Sequence, residues 1–139
     1  MADNGRLRGL LIRIGDELEH LHRLAALTAE DLRRDPDRLA GVKYRFIVAI
    51  EASIDASRLF ALSAGLRAAT SFADSFVVLG ESGHLEAGLV ERLQDMARFR
   101  NLLVHGYAVV DDTRVIEVLK THLEDLDDFR RSLGRAASG

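Results

Sequence analysis

The chain contains no cysteine and only one proline among its 139 residues. Without cysteine it can form neither a disulfide nor a thiolate metal site. A single proline leaves room for long uninterrupted helices, which suits an ordinary helical protein. No apolar run approaches the roughly 18 residues that cross a membrane, and the polar N-terminus does not resemble a signal peptide. We therefore expect a cytoplasmic protein.

Positive charge is not in excess either. Lysine and arginine number 19 against 22 acidic residues, which gives a formal net charge of -3 at pH 7. This balance argues against a protein that coats nucleic acid without specificity. Any RNA-binding potential must be local, and residues 96–110 permit it because they carry two arginines and no acid. Two such segments facing each other in a dimer would double the effect.

Apolar residues make up 47% of the chain and recur mainly at helical spacing. The length suits one domain. The sequence predicts an all-α fold, an up-and-down bundle of about five helices within a single domain of residues 1–133, and a disordered tail of residues 134–139. The five predicted helices cover approximately residues 7–25, 36–62, 71–80, 85–105 and 112–133.

Boundary signals support these helices. Asp35 and Pro36 are a strong start signal, since the aspartate can cap and the missing proline N–H is harmless in a first turn. Gly65 indicates the end of the second helix. Gly106 is expected just past the fourth helix in a left-handed conformation. His105 would then lie in the last turn, where the helix dipole favours the imidazolium form.

A guanidinium, a carboxamide, an imidazole and a phenol occur within two turns around that helix end. Arginine binds phosphate through a permanently charged fork, and histidine exchanges a proton near neutral pH. Arg100 and His105 are therefore a plausible pair for phosphodiester chemistry, although a regular helix separates them by about 140°. Arg98 and His105 are seven residues apart and share a face, as do Arg100 and Tyr107. Spacing alone does not choose between the two arginines.

The pattern Arg100-x4-His105-x-Tyr107, with Asn101 directly after the arginine, resembles the R-x4-H-x-Y signature of the HepT-type toxins, a branch of the HEPN domains. Residues 96–101, 110–112 and 49–55 also resemble that branch, and the resemblance covers about residues 36–133. It implies a metal-independent endoribonuclease, the toxin of a toxin–antitoxin pair, that acts as an all-helical homodimer on RNA. It also implies a minimal nucleotidyltransferase as antitoxin, which silences the toxin by adding AMP to Tyr107.

The resemblance assigns catalysis to Arg100 and His105 and support to Asn101, and it requires neither metal nor cofactor. Glu51 and Asp55 lie on one face of the second helix. They belong either to a solvated face or to a shell that orients Arg100 or Tyr107. If the motif has no catalytic role, its residues are simply the end of a helix with ion pairs at the surface.

A rival function is a non-catalytic helical adaptor. In that case a dimer groove would bind a nucleotide or a nucleotidyltransferase partner, and the arginine and histidine would hold phosphate without cutting. The acidic net charge leans mildly that way. The remaining histidines do not have the spacing of helical metal ligands, and they are interpreted as surface, loop or core residues: His20, His22, His84 and His122.

Overall fold

The protein is described here from a computed structural model, which covers residues 4–106 and 111–138. Within these ranges it is all-α, with seven helices and no strand, so the predicted fold class is confirmed. No helix in the described ranges is both long and apolar enough to cross a membrane. The helices are α1 (Asn4–Ala25), α2 (Ala29–Arg34), α3 (Pro36–Ser63), α4 (Asp74–Glu81), α5 (Ala87–His105), α6 (Asp112–Thr121) and α7 (Leu123–Ser138).

The longest helix, α3, begins and ends at the predicted signals. One carboxylate oxygen of Asp35 accepts hydrogen bonds from the backbone N–H groups of Asp37 and Arg38, at 3.1 and 3.2 Å. Pro36 occupies the first helical position. Gly65, at φ 71°, adopts the left-handed conformation that ends a helix without a Cβ penalty.

Helix α3 is the centre of the bundle and packs against each of the other six helices described. Its buried residue Phe46 meets Phe99 of α5 edge to face, with ring centroids 5.3 Å apart and planes at 88°. Such aromatic pairs are directional and add stability beyond their buried area. The pair sets how α5 lies on α3, and therefore which side chains of α3 come close to Arg100, the residue after Phe99.

The predicted number of five helices is wrong, because the apolar pattern revealed neither the short helix α2 nor the break inside the predicted fifth helix. Helix α2 is a short extra helix that starts where the Thr28 hydroxyl accepts from the Asp31 N–H at 3.1 Å, and it is anchored by the fully buried Leu32. The predicted fifth helix is two helices, since His122 leaves the helical conformation at φ -123°. A helical periodicity continues across such a break and therefore does not reveal it.

The predicted disordered tail is wrong for residues 134–138, where α7 continues to Ser138. Leu133 is fully buried, and Ala136, three residues later, packs against the core. The Ser138 hydroxyl also donates to the Gly134 carbonyl at 2.8 Å. The buried face of α7 thus extends beyond Leu133, the last large apolar side chain of the predicted helix. Residue 139 lies outside the described residues.

Candidate active site

The motif residues occupy the last two turns of α5, which ends at His105 as predicted. The N–H of Gly106 donates to the Leu102 carbonyl at 2.8 Å and closes the final turn. Gly106 has φ -75°, so the prediction of a left-handed glycine is wrong. A right-handed conformation continues the helical hydrogen bonding by one residue. Tyr107, the predicted modification site, lies outside the described residues.

Arg100 is held in place from three sides. Its Nε and Nη2 both donate to Oε2 of Glu51 on α3, at 2.9 and 2.6 Å. Its guanidinium carbon lies 4.9 Å from the centre of the Phe72 ring, and Nη1 donates to Oδ1 of Asn101 at 3.1 Å. The side chain is only 13% exposed. The charge is therefore positioned precisely enough to meet a fixed ligand, and it is partly neutralised by the glutamate.

The structure brings one of the two predicted supporting carboxylates to Arg100. Glu51 makes the ion pair and is 42% exposed on its outer side. Asp55, one turn further along α3, is exposed and makes no hydrogen bond or ion pair to any residue in the described ranges. The side chain that could orient the arginine is thus Glu51.

His105 lies on an open, solvent-exposed groove at the end of α5. The groove is formed with Arg98, Asn101, Leu102 and Gly106. Its imidazole makes no hydrogen bond to any side chain or backbone group among the residues described. An exposed imidazole without a protein partner can exchange protons with solvent or with a bound substrate.

The two candidate arginines therefore differ in their surroundings. Arg98 shares the groove with His105 but is exposed and bound to Asp95 of its own helix at 2.7 Å. Arg100 is held by α3 and does not line that groove. Among the described residues, no hydrogen bond or common groove joins Arg100 and His105. Leu102, which lines the groove beside His105, is 53% exposed.

Sequence analysis missed Phe72 as a neighbour of the motif. Its ring also lies 5.1 Å from the guanidinium carbon of Arg58, whose Nε donates to the Ser75 hydroxyl at 3.0 Å. Phe72 thus contacts two arginines, Arg58 and Arg100. The seven-residue spacing from Glu51 to Arg58 places them on one face of α3, but no spacing in the sequence reveals that the segment before α4 returns to that face.

No group of three or more histidine or acidic side chains in the described ranges is arranged to hold a metal ion. The chemistry that the described site can perform is that of a fixed cation, a carboxamide and an exposed imidazole. The first can stabilise charge on phosphate oxygens, and the last can transfer a proton.

The chain matches one family of known proteins. A sequence model of the HepT-like ribonucleases matches residues 14–133. A curated mRNA nuclease HepT from Shewanella oneidensis is 32% identical over 79 residues, which cover 57% of this chain and 59% of that protein. The aligned segment thus spans less than two thirds of the relative's length.

Two solved structures show the same fold. A tri-AMPylated HEPN toxin from Shewanella oneidensis, in complex with an MNT antitoxin, superposes with a TM-score of 0.86 at 22% identity, over 97% of this chain and 99% of that one. YutE, a cytosolic protein of unknown function from Bacillus subtilis, gives 0.77 at 17% identity over 93% and 89%. The match of the family model to most of the chain confirms the resemblance, and the protein belongs to the family of HepT-like ribonucleases.

Proposed function

We propose that this protein is an endoribonuclease toxin that cleaves RNA without a metal ion and acts in the cytoplasm. Membership of the HepT-like ribonucleases supports this function. The observation that carries it is the arrangement on α5: Arg100 is held by Glu51, and His105 lies on the exposed groove near the helix end with no hydrogen-bond partner among the described residues. RNA brings its own nucleophile, the 2′-OH, so the protein needs only to move protons and stabilise charge.

In the proposed mechanism His105 removes the proton from the 2′-OH, whose oxygen attacks the adjacent phosphorus. Arg100 stabilises the charge that grows on the non-bridging oxygens. The bond from phosphorus to the 5′ oxygen breaks, and a second imidazole protonates that leaving oxygen. The products are a 2′,3′-cyclic phosphate and a 5′-hydroxyl. Asn101 contributes its Nδ2 donors to the phosphate while its Oδ1 accepts from Arg100.

The proposed active species is a homodimer in which two motifs face each other across a twofold axis. A twofold dimer brings together two copies of the same patch, and so supplies the second imidazole. The open groove beside the exposed Leu102 supports this arrangement, since a second copy would cover the leucine and place its own Arg100 and His105 near the first pair.

We further propose that a nucleotidyltransferase antitoxin inactivates the protein at Tyr107. The tyrosine oxygen would attack the α-phosphorus of ATP, which releases pyrophosphate and leaves AMP on the phenol. The AMP phosphate would pair with Arg100 and the adenosine would fill substrate space. The description of the Shewanella oneidensis HEPN toxin as tri-AMPylated and in complex with an MNT antitoxin supports this. Mass spectrometry after co-expression with such an enzyme should find the adduct, and Tyr107→Phe should abolish it. An adduct unaffected by Tyr107→Phe would assign modification to another residue.

The proposed nuclease function is tested by RNA cleavage in the presence of EDTA. Wild type should cleave and leave cyclic phosphate ends, whereas His105→Ala should not cleave. Because His105 is exposed and makes no hydrogen bond to any described residue, the variant should melt at the wild-type temperature. His22→Ala removes another exposed imidazole, together with its 2.7 Å contact to Asp127 of α7, and serves as the control for cleavage. Cleavage by His105→Ala at the wild-type rate would exclude the acid–base role.

A second candidate, a non-catalytic helical adaptor, is favoured by one observation. Arg100 is 13% exposed and already bound to a carboxylate, as expected of a structural ion pair. An adaptor would bind a nucleotide or a nucleotidyltransferase partner without toxicity. Expression of the protein alone in a host cell, with wild type and His105→Ala compared for growth arrest, separates the two functions.

A further inference from the structure

A cavity of about 330 Å³ lies beside the motif, between the C-terminal half of α3, the segment that follows it, and α4. Its walls are mostly apolar, with Ala61, Leu62 and Leu66 among them, and two arginines, Arg58 and Arg67, add charge. Its size falls at the lower end of the range for ligand sites, about 300–1,000 Å³. It therefore suits one small planar group with an attached anion better than a long segment of a partner.

The two arginines of the cavity differ in whether carboxylates lie against them. Arg67 donates to both carboxylates that face it, Asp74 and Glu81, at 2.8–3.0 Å. Arg58 donates only its Nε, to the Ser75 hydroxyl, and rests against the Phe72 ring. No carboxylate in the described ranges lies within ion-pairing distance of Arg58. Its position is thus fixed by neutral groups, and its two Nη groups make no hydrogen bond to any described residue.

Phe72 connects this cavity to the motif. The guanidinium carbons of Arg58 and Arg100 lie 5.1 and 4.9 Å from the centre of that one ring, so they are at most about 10 Å apart. Neighbouring phosphates of an extended nucleic-acid strand are separated by a distance of the same order. The two guanidinium groups are thus close enough for neighbouring phosphates of one strand to reach both.

We propose that Arg58 and the cavity behind it form a nucleotide subsite for the substrate RNA. Arg58 binds the phosphate next to the scissile one, and the base of the adjoining nucleotide enters the cavity between the side chains of Leu62 and Leu66. The proposal rests on the proposed ribonuclease function, because it assigns the neighbouring phosphate relative to Arg100. Arg67 is bound to two carboxylates, a group with a net charge of -1, so an anion is drawn to the Arg58 side.

The phosphate contact is tested by binding rather than by cleavage. The probe is a short single-stranded RNA with every 2′-OH methylated, which cannot be cut, and its Kd is measured by fluorescence anisotropy over a range of salt concentrations. Arg58→Gln should weaken binding about tenfold and lower the slope of log K against log salt by about 0.7–1, the value for one lost phosphate contact. Arg13→Gln removes an equally exposed arginine from α1 and should change Kd less than about twofold.

The base contact is tested with substrates that carry a single free 2′-OH, and so a single cleavage point. An abasic nucleotide is placed on one side or the other of that point. Wild type should lose about tenfold in cleavage rate at one of the two positions, since a buried base contributes substantially to binding. Ala68→Trp fills the mouth of the cavity from an exposed loop position. This variant should cleave slowly, and at the same rate whether the abasic nucleotide lies on one side of the cleavage point or on the other. Melting temperatures confirm that each variant is folded.

The outcomes separate this inference from the proposed function. If wild type does not cleave RNA but Arg58→Gln still weakens binding, the nuclease function is wrong, and only the contact of Arg58 with an RNA phosphate stands. If His105→Ala abolishes cleavage but Arg58→Gln binds RNA as Arg13→Gln does, the subsite is wrong and the nuclease function stands. Indifference of wild type to the abasic nucleotide on both sides would also overturn the inference.

Discussion

Glu51 binds Arg100 through a single carboxylate oxygen, which accepts from both Nε and Nη2 across the contact between α3 and α5. This ion pair fixes the direction of the guanidinium, but it also cancels part of the charge that a phosphate would meet. The ion pair should therefore favour cleavage by holding the guanidinium in place, and weaken RNA binding by cancelling part of its charge.

Replacing the glutamate should separate these contributions. In Glu51→Gln the amide keeps the shape but no longer accepts as a carboxylate, so Arg100 becomes mobile and more positive. We expect kcat to fall about tenfold to a hundredfold, because a misplaced stabilising group costs rate. The Kd for uncleavable RNA should stay the same or become tighter. Glu91→Gln, an exposed glutamate on α5, is the control. Loss of RNA binding in Glu51→Gln without a change in kcat would contradict the positioning role.

The exposed Leu102 should matter for self-association. Leu102→Glu places a charge beside His105 in the groove that we assign to the dimer. The variant should be a monomer in light scattering at concentrations where wild type is a dimer, because a twofold contact repeats the charge on both sides. Ile12→Glu changes a residue of the same exposure, 53%, on α1 and should remain a dimer. A dimeric Leu102→Glu protein would place the interface elsewhere.

Mixing two inactive variants tests whether the site is shared between protomers. Arg100→Gln keeps His105, and His105→Ala keeps Arg100, so a mixed dimer contains one intact copy of each group. Unfolding and refolding the mixture should restore cleavage above that of either variant alone and below that of wild type, since one imidazole is still missing. The double variant Arg100→Gln, His105→Ala, refolded in the same way, provides the background. Activity no higher than this background would contradict a site in which Arg100 of one protomer acts with His105 of the other.

Arg67 should contribute to stability in a pH-dependent way. Its guanidinium lowers the pKa of Asp74 well below the ordinary value of 3.8, and it lowers the pKa of Glu81 below 4.5. Carboxylates with lowered pKa values in the folded protein stabilise it above the unfolded values, and this stabilisation is lost as pH falls through the lower folded values. Arg67→Gln should therefore melt below wild type at pH 7, and the difference should shrink as pH falls below about 4. The effect should be small and salt-sensitive because Arg67 and Glu81 are exposed. A difference in melting temperature that is the same at pH 7 and pH 3 would contradict it.

Helix positions were predictable where local chemistry decides them. Asp35, Pro36 and Gly65 act through their own backbone preferences, so the ends of α3 follow from the residues alone. Gly106 failed as a predictor because glycine permits the left-handed conformation without requiring it. The break at His122 and the extra turn to Ser138 depend on packing against other helices, which periodicity does not record.

The candidate site divides in the same way. The motif on α5 and its family likeness were readable from adjacent residues, since Arg100, Asn101 and His105 lie within one short segment. The sequence could not decide between Arg98 and Arg100, or between Glu51 and Asp55. Each of these choices depends on which side chains a distant helix presents. The ion pair between α3 and α5 favours Arg100 and Glu51 as the partnered residues.

The sequence by itself determined an all-helical protein, the end of α5 at His105 and the residue types needed for phosphate chemistry, because helix period, caps and motif spacing act over a few residues. Only the tertiary structure decided that Arg100 turns to Glu51 and Phe72 while His105 remains on the open groove. It also brought Arg58, 42 positions earlier in the chain, to the same aromatic ring. The physical reason is that such contacts are set by how α3 and α5 pack, through Phe46 and Phe99, and packing joins residues whose separation along the chain carries no signal.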